Sequence, residues 1–182
     1  GFRLRAELTG VSFQYEYQGI PHTFEGLTGR AAFSPATLEL EKVQGLVDGS
    51  PVRLSGTVEG FDADQLGLDL TVEAEDLVVQ DHREAVVGIS PQFARLYELY
   101  SPDGVANLAF RLRRRPGPDT KPTVEGTMRL RDVGFLYSKF PYRLTDVRGP
   151  VRFTSDRMRV GPLKARHGDA AVSIKGTITN PG

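Results

Sequence analysis

Cysteine and tryptophan are absent from this 182-residue chain, and methionine occurs only twice. Without thiols there is no disulfide scaffold, no thiolate zinc site, no iron–sulfur cluster and no cysteine nucleophile. No apolar run approaches the roughly 18–20 residues that a membrane-spanning helix needs. Histidine is scarce too. His22, His82 and His167 stand singly, without ligand or triad spacing around them, and surface or turn positions account for each. Asp81-His82-Arg83-Glu84 is the nearest approach to a metal set. One His and two carboxylates in a row read better as a loop or the start of a helix. No glycine-rich loop follows a parallel strand in the way that would cradle phosphate. The expectation is a chain with no catalytic residues, no metal and no cofactor, and so not an enzyme.

A net charge of either sign is also lacking, but only by cancellation. Residues 1–110 hold 7 basic and 17 acidic side chains, and residues 111–182 hold 16 basic and 6 acidic. The densest basic stretch is Arg111, Arg113, Arg114 and Arg115, ahead of Pro116-Gly117-Pro118-Asp119. Such a half could meet anionic head groups or a nucleic acid. The reading we favour is that acidic and basic strands lie side by side and pair on the wet face of a sheet. Aromatics are not interleaved with the basic run as a base-stacking platform requires, so no nucleic-acid partner is expected.

What the chain has in abundance is alternation of period two, the mark of half-buried strands. Phe2, Leu4, Ala6 and Leu8 face one way and Arg3, Arg5, Glu7 and Thr9 the other. The pattern returns in Val52-Leu54-Gly56-Val58, Leu66-Leu68-Leu70-Val72-Ala74, Leu108-Phe110-Leu112, Val124-Gly126-Met128-Leu130, Met158-Val160 and Val172-Ile174-Gly176. One apolar and one wet face per strand predict an antiparallel sheet. Ser34-Pro35, Asp48-Gly49-Ser50-Pro51 and Pro102-Asp103-Gly104 supply turns for hairpins and a meander. One stretch reads as helix, near 90–100: Ser90 suits its cap, Pro91 its first position, and Phe93, Leu96, Tyr97 and Tyr100 share a face. Asp81 to Val87 adds a short helical turn before it. Roughly ten strands cannot bury their apolar sides against one helix about 15 Å long. The fold class expected is therefore all-β, with a sheet that either closes on itself or curls into an open groove.

The chain also aligns with itself. At an offset of 120, Tyr17 to Val58 matches Tyr137 to Ile178 without gaps, with Pro21/Pro141, Gly29/Gly149, Phe33/Phe153 and Gly56/Gly176 identical. Upstream, Val11 to Tyr15 resembles Val133 to Tyr137 if the connecting turn loses two residues. We read a single module over 1–182, with repeats at about 11–60 and 133–180 joined by 61–132, which contains the helix. Repeats in line argue for an array in which each unit supports its neighbours.

The run Phe140-Pro141-Tyr142-Arg143-Leu144-Thr145-Asp146-Val147-Arg148-Gly149 resembles a recurring signature of the bacterial AsmA-like envelope proteins, the TamB/YhdP-related superfamily of repeating β-grooves. Gly168 to Val172 with Ile174 to Ile178 is similar to their hairpins, and Phe93 to Tyr97 with Ser101 to Arg113 fits the same layout. The resemblance implies a periplasmic segment of a protein anchored in the inner membrane by a part absent here. The opening Gly1-Phe2-Arg3, mid-strand in character and without initiator Met or signal peptide, fits an internal or C-terminal piece. It implies a hydrophobic trough that passes phospholipid between inner and outer membranes, in the service of outer-membrane biogenesis. Implied partners are phospholipid or another acyl-chain lipid, neighbouring repeats, and proteins of the two membranes.

Residues expected to contact lipid along the groove are Leu54, Val58, Leu68, Leu70, Val72, Leu108, Phe110, Leu112, Met128, Leu130, Phe153, Val160, Val172 and Ile174. Each has a plainer reading as a self-packed sheet-core residue. Two other functions stay open: a structural or adhesive β-module that binds protein, and a carbohydrate-binding β-sandwich. The latter would use Glu73 and Glu75, which share one strand face, and the rings of Phe13, Tyr15 and Tyr17.

Overall fold

The computed structural model describes residues 1–17, 20–62, 64–88, 91–139 and 142–179. The period-two segments become ten strands: β1 (Leu4–Tyr17), β2 (Ile20–Phe33), β3 (Thr37–Val47), β4 (Ser50–Glu59), β5 (Gly67–Val78), β6 (Asp103–Arg114), β7 (Thr123–Leu136), β8 (Arg143–Thr154), β9 (Arg157–His167) and β10 (Ala170–Thr179). Two helices, α1 (Arg83–Val87) and α2 (Pro91–Tyr100), interrupt the series between β5 and β6. The strands lie in sequence order in one antiparallel sheet, so the expected all-β meander is what the chain forms. The expected cap Ser90, and Phe140 and Pro141 of the motif above, lie outside the described residues. Asp103 and Gly104, expected in a turn, instead open β6.

The hairpins follow local chemistry. Val47 pairs with Ser50, leaving Asp48 and Gly49 as a two-residue turn in which both have positive φ, 50° and 76°. That geometry matches the right-handed twist of the flanking strands. Asp48 also fastens the neighbouring hairpin: its Oδ1 accepts the Thr23 N–H at 2.8 Å and its Oδ2 lies 2.7 Å from His22 Nδ1.

The chain divides into two compact units, one of residues 1–74 and 110–123, the other of 75–109 and 124–182. Their strand registers are the same in detail. In the first, Leu8 pairs with Gly29, Val11 with Leu27 and Phe13 with Phe24. In the second, Leu130 pairs with Gly149, Val133 with Val147 and Phe135 with Leu144. One extra residue sits in β1 between Leu8 and Val11, and one in β7 between Leu130 and Val133. β2 and β8 each carry a compensating bulge, at Gly26 (φ 61°) and at Asp146 (φ 52°), 120 residues apart. β3 and β9 carry one as well, between Leu40 and Val43 and between Val160 and Leu163.

These bulges set which side chains are buried, because one extra residue shifts the alternation by one. On β1 the apolar set runs Leu4, Ala6, Leu8 and then Val11, Phe13, Tyr15; on β3 it runs Leu38, Leu40 and then Val43, Gly45, Val47. Without the bulge the two halves of each strand would bury opposite faces.

Candidate functional site: the apolar sheet face

In the first unit the register gathers the apolar residues on one face. Leu4 lies opposite Phe33, Phe33 opposite Leu38, Leu38 opposite Val58, and Val58 opposite Leu68. A second row joins Ala6, Ala31, Leu40, Gly56 and Leu70, and Leu54 faces both Val43 and Val72. Phe110 and Leu112 take the same side of β6, because Arg111 between them reaches Asp69 on the other. Leu54, Val58, Leu68, Leu70, Val72, Phe110 and Leu112, all expected lining residues, are half-buried. The buried apolar side chains here are Leu27, Ala31, Val43, Val52 and Ala74. Along the β1 side the face is open: Leu4 is 60% exposed, Phe33 37%, Phe13 47% and Tyr15 48%. No helix belongs to this unit among its described residues.

The second unit covers its equivalent face. Met128 pairs with Val151, Val151 with Val160, Phe153 with Met158, Leu163 with Ile174 and Ala165 with Val172. Leu108, Met128, Leu130 and Phe153 are buried, and Val160, Val172 and Ile174 are half-buried. Part of the cover is α2. Phe93 meets Phe153 edge-on at 4.8 Å, and Tyr100 stacks on Tyr137 at 5.2 Å and lies edge-on to Phe135 at 6.2 Å. The Tyr97 hydroxyl donates to the Val79 carbonyl at 3.4 Å, with the Arg83 guanidinium 5.6 Å from its ring centroid. Burial raises the Tyr97 pKa, so the phenol stays neutral at physiological pH.

The fourteen residues thus fall into two groups, a half-exposed set in one unit and a largely buried set in the other. The fourteen expected lining residues leave out the exposed margin, Leu4, Phe13, Tyr15 and Phe33, of which Phe13 and Tyr15 enter only as rings for a carbohydrate. The alternation of Leu4 with Arg3 and Arg5 signalled a face, but not that β1 would stand at the end of the strand order with that face uncovered.

Charge on the wet face separates the units again. In the first, opposite signs meet: Arg53 lies opposite Glu73, Arg30 opposite both Glu7 and Glu41, and Arg3 reaches Glu39 at 2.5 Å. Asp69 accepts from Arg111 through both carboxylate oxygens, with Arg113 at 3.8 Å. The Arg111 hydrogen bonds hold the Asp69 carboxyl below the ordinary aspartate range. The basic run at the end of β6 therefore pairs, in part, with an acidic strand. In the second unit Arg131 pairs with Asp76 and Arg143 with Asp103, at 2.6 Å in the latter case. The strands β8, β9 and β10 carry an excess of arginine and lysine.

The polar clusters weighed in the sequence stay dispersed. His167 Nδ1 lies 2.8 Å from the Arg143 carbonyl oxygen and its ring stacks on Tyr142. His82 immediately precedes α1, and no group of three or more His, Asp or Glu able to hold a metal occurs among the described residues. Phe13 spends one ring face on Phe24, stacked at 4.6 Å and 9°; the ring of Tyr17 lies outside the description. Compared with protein-family models, curated proteins and solved structures, the chain matches none.

Proposed function

We propose that this chain is a non-catalytic lipid-handling segment of an AsmA-like envelope protein, whose apolar sheet face shelters acyl chains on their way between two membranes. One observation carries the reading: the aligned rows of Leu, Val and Phe in the first unit are half-exposed instead of being sealed by a second layer. A contiguous exposed apolar surface marks a place where something apolar binds. Each acyl CH₂ moved from water onto such a surface gains about 0.8 kcal/mol. Aliphatic walls offer no directional contacts, so a chain can slide along them while its head group stays in water. The groove form of that face, the periplasmic location and the membrane-protein partners rest on the resemblance.

A second reading has support in the other unit, where α2 packs Phe93 onto Phe153 and closes the face with the chain's own residues. There the module is a scaffold, and the exposed face of the first unit would bind protein.

Native mass spectrometry of gently purified protein separates the two. The lipid reading expects phospholipid adducts, reduced at least several-fold in Leu70→Glu while the far-ultraviolet circular dichroism of the sheet survives. Leu70 is half-buried, so its carboxylate can reach water at moderate cost. Protein that carries no lipid, and takes none up from vesicles, defeats the proposal.

A further inference from the structure

The wet face of β8, β9 and β10 places like charges directly opposite one another. Arg152 pairs in register with Arg159, and Arg148 with Lys164. The matching positions of the first unit, 120 residues earlier, hold Ala32 opposite Glu39 and Thr28 opposite Gln44. One backbone register thus carries a neutral or acidic pair in one unit and a doubly basic pair in the other. Directly opposed like charges destabilise a sheet, so the fold gains nothing from this array.

Of these four cations, Arg148 alone has a carboxylate within ion-pair range among the described residues, that of Asp146. Arg152, Arg159 and Lys164 are exposed and have no ion-pair partner among the described residues. The acids of this stretch sit at a bulge or in turns: Asp146 is 3.9 Å from Arg148, Asp156 accepts from the Thr154 hydroxyl, and Asp169 follows β9. β9 and β10 contain no acidic residue, and Arg157 and Lys175 extend the basic surface along their wet sides.

We propose that this face docks the protein onto an anionic membrane surface, engaging a plane of lipid phosphates and carboxylates. The cations are spread in two dimensions: opposed pairs sit on strands about 4.8 Å apart, Arg157 and Arg159 are about 6.8 Å apart along β9, and Arg148 and Arg152 about 13 Å apart along β8. That arrangement suits a plane of head groups better than a single phosphate track, and no aromatic on the wet side of these strands offers a stacking platform for bases. The inference does not depend on the acyl-chain reading, since it uses the opposite side of the sheet and asks for no lipid extraction.

The test is co-sedimentation of the full chain with vesicles of phosphatidylcholine, alone or with about 30% phosphatidylserine, in about 0.1 M and about 1 M NaCl. Binding is expected only with phosphatidylserine and only at low salt. The triple variant Arg152→Ala/Arg159→Ala/Lys164→Ala is expected to bind on the order of 100-fold more weakly, at roughly fivefold per cation removed. Its melting temperature should equal or exceed that of the parent, because the opposed charges are gone. A control, Arg3→Ala/Arg30→Ala/Arg53→Ala, removes the same charge from the paired face and should bind like the parent. Equal binding to neutral vesicles, an unaffected triple variant, a control that loses as much, or a triple variant that melts lower would each overturn the proposal. So would tighter binding to duplex DNA than to the charged vesicles at equal salt.

Discussion

At the scale of single residues, two glycines mark where the backbone allows no substitute. Gly29 and Gly149 have φ of 146° and 137°, and a Cβ there would stand 2.7 Å from Val43 Cα or from the Pro162 carbonyl oxygen. Gly149→Ala should cost on the order of 1–3 kcal/mol, read as a lowered urea midpoint, with Gly29→Ala close behind. A loss below a few tenths would show that the strands part easily at that point. Asp69 provides a pH signature. Its carboxyl titrates below the ordinary value when folded, so its contribution is present above the unfolded value and fades as pH falls through the folded one. The stability difference between the parent and Asp69→Asn should hold from neutrality to about pH 5 and close at pH values under about 4. Because both side chains are well exposed, the gap should stay within about 1 kcal/mol. Thermal melts across that range check the sign.

At the scale of elements, α2 depends on what it covers. Ten residues are too few for a helix to persist alone in water, and Phe93, 6% exposed and set against Phe153, fixes it to the sheet. Phe93→Ala should remove about 3–5 kcal/mol and free the amides of α2 to exchange. Leu70→Ala, on the half-exposed face, should cost markedly less. Strands and this helix were legible in the sequence because alternation and the spacing of Phe93, Leu96, Tyr97 and Tyr100 are local patterns. The bulges were not. Lys42 and Asp146 take positive φ, 49° and 52°, yet neither is a glycine, and a break of one residue in an alternating pattern looks like noise until the neighbouring strand supplies its register. Nor could alternation say which apolar faces would be sealed: Leu68 and Met128 both alternate with polar neighbours in the sequence, yet Leu68 is half-buried and Met128 buried.

At the scale of the whole molecule, the two units share registers but not environments. Val133, Val147 and Leu163 of the second unit are almost wholly buried, whereas the strand that begins the first keeps Leu4, Phe13 and Tyr15 in water. Amide exchange should follow that difference, with protection in β7 and β8 exceeding that in β1 by orders of magnitude, since local opening follows the density of buried contacts. Uniform protection would mean that the exposed face is sealed in solution. The repeat offset was visible in Pro21/Pro141 and Gly29/Gly149, but the divergence in charge between Glu39 and Arg159 acquired meaning only when each was seen opposite its neighbour.

The paired bulges also have a consequence for how such a chain can be cut or lengthened. Each extra residue keeps a strand's side chains in frame, much as a codon boundary keeps a message in frame. Removing Asp146 alone would swing Thr145 and Leu144 through to the opposite side of β8 while Val147 onward held its place. Splices between the units are thus expected to succeed only where they preserve parity, at offsets of 120 or, within β1 and β7, of 122.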